Sequence, residues 1–181
     1  MIKLLGLFNI VYVILGLVWL AKRDPDYSFT AKPISALAKN PKNKFWFMML
    51  LSTFALLQLI FAFTLISRLA TDHAQLIKSL LTIGSLLLVL ATLVTVKSSR
   101  LHTRLVQVSV ATIAIAVTIL ALEIMKVNEL AGWLIISSSV ILLTGQHILR
   151  NVIKVGYWEL PLLILVIVWN VTTTLLIASA S

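Results

Sequence analysis

Side chains able to do chemistry are scarce in this sequence of 181 residues. It holds three histidines, six carboxylates and no cysteine, which excludes thiol catalysis, disulfide scaffolds and cysteine-ligated metals. The remaining candidates are Tyr27, Ser28 and Ser35 near the N-terminus, then His102 with Arg104, His147 with Arg150, and Glu159. Guanidinium groups pair well with phosphate oxygens, so Arg104 and Arg150 beside these hydroxyls suit an anionic group such as a lipid headgroup. His102, His147 and Glu159 also make a chemically acceptable metal set, yet no local spacing supports one, and no metal is expected. The same three suit an imidazole base oriented by a carboxylate. The plainest alternative is that they are polar residues at the edge of an apolar layer. No Gly-rich phosphate loop, His-Glu-x-x-His or Gly-x-Ser-x-Gly motif is present, and no cofactor is expected.

The elements that must position these residues are built for lipid. Hydrophobic residues make up 60% of the chain and charged residues 12%, with a mean hydropathy of +1.06. A soluble domain carries roughly 45–50% and about 25%. Apolar runs of about 17–25 residues read as spanning helices, and six are found, at 4–20, 45–67, 79–96, 105–125, 130–149 and 157–178. The expectation is an all-α polytopic membrane protein, a six-transmembrane-helix bundle forming one domain over 1–181. Its longest connection, 21–44, holds three of the four prolines. Trp19, Trp46, Trp133, Tyr157 and Trp158 fall near span ends, as an interfacial aromatic belt requires, whereas Trp169 lies in mid-span. Lys3 ahead of an apolar run would also suit a signal peptide. The run is long for that, and Lys22-Arg23-Asp24-Pro25 follows it in place of a small-residue cleavage site.

A net charge of +9 would suggest nucleic acid in a soluble protein, but in a membrane chain it marks the cytoplasmic loops. Lys22, Arg23, Lys32, Lys39, Lys42 and Lys44 lie in the first loop, Lys97, Arg100 and Arg104 in the third, and Arg150 and Lys154 in the fifth. Only Lys3, Arg68, Lys78 and Lys126 fall on the other side. The odd loops are therefore expected in the cytoplasm, with both termini extracytoplasmic in a multi-pass arrangement in the cell membrane. Membrane lipids, and not nucleic acid, are the expected partners.

Two spans carry polar stripes. His102, Ser109, Ala116 and Glu123 recur every seven residues, with Thr112 beside them, and Glu159, Asn170 and Thr173 share a face of the last span. Such stripes either pack helices together or line a cavity. They would equally serve a homo-oligomer or a partner membrane subunit. Glu123, three residues before Lys126, reads as an interfacial ion pair.

The segment Asp26-Tyr27-Ser28-Phe29-Thr30-Ala31-Lys32-Pro33-Ile34-Ser35-Ala36-Leu37 resembles the Tyr-Ser then Ile-Ser-x-Leu signature of the domain of unknown function 998 family of prokaryotic integral membrane proteins. Leu101-His102, and Gly156-Tyr157-Trp158-Glu159 followed by Trp169, are similar to later features of that family. The sequence departs from the pattern at Val94-Thr95-Val96-Lys97, where a Phe-Pro with a following acid would stand, and in a second span without glycine. The resemblance implies a six-helix membrane fold and no established activity.

The expected function is a small multi-pass membrane protein binding an anionic lipid headgroup or similar ligand at the face of loops 1, 3 and 5. The candidate residues are Tyr27, Ser28, Ser35, His102, Arg104, His147, Arg150 and Glu159. An intramembrane lipid-modifying enzyme using His102, His147 and Glu159, a small transporter and a complex subunit stand as alternatives.

Overall fold

In a computed structural model the chain is helical, and residues 2–69, 71–94, 99–149 and 159–179 are described. The α-helices are α1 (Ile2–Lys22), α2 (Pro41–Leu69), α3 (Ala74–Val94), α4 (Ser99–Met125), α5 (Glu129–Ile148) and α6 (Leu160–Ser179). A 3-10 helix, Ile34–Lys39, lies between α1 and α2, and no strand occurs among the described residues. The first five α-helices are long and apolar enough to cross a membrane, and α6 adds a shorter apolar stretch, Leu160–Leu175. Large apolar side chains such as Phe8, Leu15, Leu86, Ile115 and Ile141 point outward. Helices apolar on all sides are stable only where the surroundings are themselves apolar, as in a membrane.

Local chemistry sets the helix ends. Pro41 opens α2, where its missing N–H does no harm, and the Asn40 side chain accepts from the Lys42 N–H at 3.0 Å. Asn128 caps α5 by accepting from Ala131 N at 2.9 Å. The helices run past the expected apolar spans. At 29 residues, α2 is roughly 44 Å long, against about 30 Å of hydrocarbon, so its polar first turn extends the helix beyond the apolar run. The 21–44 connection is correspondingly shorter than expected, and Leu37 and Ala38 of its 3-10 helix are fully buried.

Neighbours in sequence pack side by side, and α6 returns to α1, so the helices form a closed ring. Small residues permit the closest approaches. Gly84 of α3 faces α4, where an added Cβ would stand 3.3 Å from the Ser109 carbonyl oxygen. Two apolar cores hold the ring. One joins Val13, Leu17 and Leu20 of α1 to Leu37, Ala38 and Phe47, Leu50 and Phe54 of α2, at the end carrying the first loop. The other joins Phe61, Leu65 and Ile66 of α2 to Ile77, Leu120, Ile124, Ile135 and Trp169, towards the opposite end. Between the two cores the packing is incomplete.

Candidate functional site

The 3-10 helix brings Ser35 over the start of α6. Its backbone N–H donates to Glu159 Oε2 at 2.8 Å and its hydroxyl donates to Oε1 at 2.8 Å. Pro33, extended at φ −66° and ψ 155°, precedes the turn and presents Ser35 to the carboxylate. Glu159 stands just before α6, and burial pushes its carboxyl above the ordinary carboxylate range. The Ser35 hydrogen bonds and the nearby His102 act in the opposite direction and do not cancel that effect. His102, in the first turns of α4, donates from Nδ1 to the Ala91 carbonyl of α3 at 2.8 Å. Tyr27 stacks edge-on against Phe29 at 5.1 Å. Partial burial and then the charge of Glu159 raise the Tyr27 hydroxyl well above its usual range.

Ser35, His102 and Glu159 are the polar residues of an otherwise apolar cleft of about 170 Å³. Its walls come from Val13 and Leu17 of α1, Ile34, Phe47, Leu51 and Phe54, Leu88 and Ala91 of α3, Val106, and Leu162, Leu163 and Val166 of α6. Phe54, Leu88, Leu162 and Val166 also wall a second cavity of about 160 Å³ further into the bundle, so the two spaces adjoin. That central cavity is bounded by α2 to α6, and its polar residues are Gln58, Ser85, Ser109, Ser139 and Trp169.

The expected site residues divide into groups. Ser35, His102 and Glu159 come together at the cleft, while Tyr27 packs against the neighbouring apolar core, close enough to feel the charge of Glu159. Ser28 is exposed and shares a 2.8 Å hydrogen bond with Thr30. Arg104 lies outside the cleft in a surface depression with Arg100, Thr103 and Gln107. His147 lines another depression with Val106, Gln107, Val110 and Gln146. Arg150 lies outside the described residues, as do Gly156, Tyr157 and Trp158. Among the described residues no group of His, Cys, Asp and Glu is arranged to hold a metal.

The α4 stripe packs between helices: Ser109 donates to the Gly84 carbonyl at 2.6 Å, and both Ser109 and Ala116 are fully buried. At its far end Glu123 pairs with Lys126 at 2.7 Å and with His73 at 2.8 Å. The α6 stripe meets a polar cluster. Gln58 Oε1 accepts from Asn9 Nδ2 at 2.6 Å and from Asn170 Nδ2 at 3.1 Å, tying α1, α2 and α6 together. Trp169 is buried beside it, edge-on to Phe61 at 6.2 Å, which accounts for a tryptophan in mid-span. Asn9, Gln58 and His73 were not among the sequence candidates. Asn9 and Gln58 each interrupt a long apolar run, a signal that was available to find them.

Compared with protein-family models, curated proteins and solved structures, the chain matches none of them.

Proposed function

We propose that this membrane protein binds a lipid-like amphiphile, with the apolar part in the cleft and central cavity and the polar end at Ser35, His102 and Glu159. The observation carrying this reading is the cleft itself, in which three polar groups from three separate segments stand at one place on otherwise apolar walls. Ligand sites commonly combine apolar lining with a few convergent polar groups. The Glu159 carboxylate accepts from the Ser35 backbone and hydroxyl and from the Ile34 backbone, and with about four acceptor positions on a carboxylate it keeps capacity for a donor on the ligand. A carboxylate at this position favours a hydroxyl or ammonium on the headgroup. Phosphate oxygens would be served from outside the cleft, by Arg104, Arg100 and the basic first loop.

In this reading the chain crosses the cell membrane six times. The odd loops are cytoplasmic beside anionic lipid, and both termini are extracytoplasmic. Five long apolar helices, an apolar α6 and the charge asymmetry support it. Membership in the domain of unknown function 998 family is part of the same proposal, supported by Ile34, Ser35, His102 and Glu159 of the resembling segments lining the cleft. Native mass spectrometry of detergent-purified protein tests the binding. The wild type should retain lipid, and Leu88→Trp, which fills the space shared by the two cavities, should lose it. Equal retention by both proteins would refute the reading.

A further inference from the structure

Where α1 ends against the first turn of α2, one cation is held in position while its charge stays exposed. Arg23 donates from Nε to Asn43 Oδ1 at 3.3 Å, and its guanidinium lies over the Trp19 ring, 4.6 Å from the centroid. Asn43 is fully buried, and its Nδ2 donates to the Leu20 carbonyl at 2.9 Å. That bond fixes the amide, because the reversed group would set an N–H against Arg23 Nε and an oxygen against the Leu20 carbonyl. Trp19 is braced in turn by Trp46, edge-on at 5.7 Å, and Trp46 by Phe45 at 5.4 Å.

A guanidinium carries five N–H groups, and the Asn43 bond uses only the one on Nε. Arg23 is exposed, and among the described residues its two terminal nitrogens make no hydrogen bond and no carboxylate pairs with it. Those nitrogens form the edge that receives two phosphate oxygens side by side. Lys22, next to Arg23 in the chain, and Lys42, next to Asn43, are also exposed, so a net negative headgroup is favoured over a zwitterionic one. Trp19, Phe45 and Trp46 are exposed too, and about one turn further into the apolar layer so are Leu15 and Met49. Charge above, indole rings at headgroup level and apolar side chains beneath match the outline of a phospholipid. Leu17, which lines the cleft, and Trp19, two residues on, point to nearly opposite sides of α1.

We propose that Arg23, set in place by Asn43 and Trp19, binds the phosphate of an anionic phospholipid on the outer face of α1 and α2. This site is separate from the cleft and does not depend on the cleft being occupied. Its ligand stays in the bordering leaflet, with the phosphate on Arg23 and a chain along the exposed side chains below.

Native mass spectrometry of the full chain in detergent tests it, with phosphatidylglycerol and phosphatidylcholine of the same chains as probes. The wild type should hold one phosphatidylglycerol about tenfold more tightly than phosphatidylcholine, as a charge-assisted pair of hydrogen bonds implies. Arg23→Lys keeps the charge but loses the fork, and the preference should fall to about twofold. Trp19→Leu, which removes the ring beneath the guanidinium, should lower it likewise, whereas Lys22→Gln removes a charge but no fork and should retain most of it. A preference unchanged in Arg23→Lys and lowered by Lys22→Gln would reduce the effect to net charge and overturn the inference. Loss of the preference in Leu88→Trp would assign the lipid to the cleft and overturn it too, leaving the cleft reading standing. Displacement of the lipid by an equal concentration of glycerol phosphate would show a soluble phosphate to be the occupant, against the proposal.

Discussion

Ser35 and Glu159, 124 residues apart in sequence, are joined by two hydrogen bonds of 2.8 Å, one from the serine backbone and one from its hydroxyl. This pair fastens the first loop to the start of the last helix and forms the polar end of the cleft. The pairing makes local stability and ligand binding depend on the same carboxylate.

Removing half of the pair should be measurable. Ser35→Ala deletes the hydroxyl bond and keeps the backbone one, at an expected cost of about 1–3 kcal/mol for a hydrogen bond to a carboxylate. Thermal unfolding in detergent should show a lower midpoint. An unchanged midpoint would mean that the backbone bond and the burial of Leu37 and Ala38 hold the 3-10 helix without the hydroxyl.

The raised pKa of Glu159 gives a pH dependence of definite sign. A carboxyl that holds its proton more tightly when folded contributes stability that is complete below its ordinary pKa and is lost as pH rises through the raised value. The wild type should therefore lose stability as pH rises from about 4 towards neutrality, and Glu159→Gln, permanently neutral, should not. Melting curves of the two proteins across that range decide the matter, and parallel pH profiles would count against burial of the carboxyl.

Tyr27 carries the same sign at the alkaline end. Its hydroxyl is raised by burial and by Glu159, so stability should fall as pH climbs beyond about 10, the ordinary tyrosine value. Tyr27→Phe should remove that component of alkaline loss, read as a shallower decline in melting temperature.

The amide cluster predicts a non-additive series. Gln58→Leu strands the Asn9 amide and leaves Asn170 with only its bond to the Val166 carbonyl, and should cost about 1–3 kcal/mol for each group left unsatisfied. Replacing Asn9, Gln58 and Asn170 all with leucine should restore most of the loss, because no buried polar group is then left alone. Chemical or thermal unfolding of the single and triple variants measures the coupling, and simple additivity would show that the three do not act as a unit.

On the opposite face, Glu123 is 8% exposed, whereas its partners His73 and Lys126 are 54% and 64% exposed. His73→Ala and Lys126→Ala should each cost under about 1 kcal/mol, as exposed partners do. Glu123→Leu should instead give a small or favourable change if packing replaces the desolvated carboxylate. Detergent melting curves of the three variants rank these effects.

Much of the scaffold is legible from composition and run length. Lipid leaves helices as the economical answer for a chain this apolar, and the interruptions at Lys22 to Asn40, Thr71 to His73 and Lys126 to Asn128 mark where they stop. The Ser35–Glu159 pairing was beyond reach, because periodicity orders residues within a helix and says nothing of which loop folds over which helix end. Charge counting drew Arg104 and His147 into one set with His102 and Glu159, since it assigns a membrane face but no position around the ring. Asn9 and Gln58 were visible as polar interruptions, but their meeting depends on α1 closing against α6, a long-range contact that no local pattern encodes.

Photo-crosslinking with a lipid carrying a diazirine on its acyl chain tests the central claim most directly. Occupancy of the cleft and cavity predicts labelling at inward-facing Leu88, Leu162 and Val166, abolished in Leu88→Trp. Labelling confined to outward-facing positions such as Leu86, Ile115 and Ile141, and unaffected by that substitution, would contradict it.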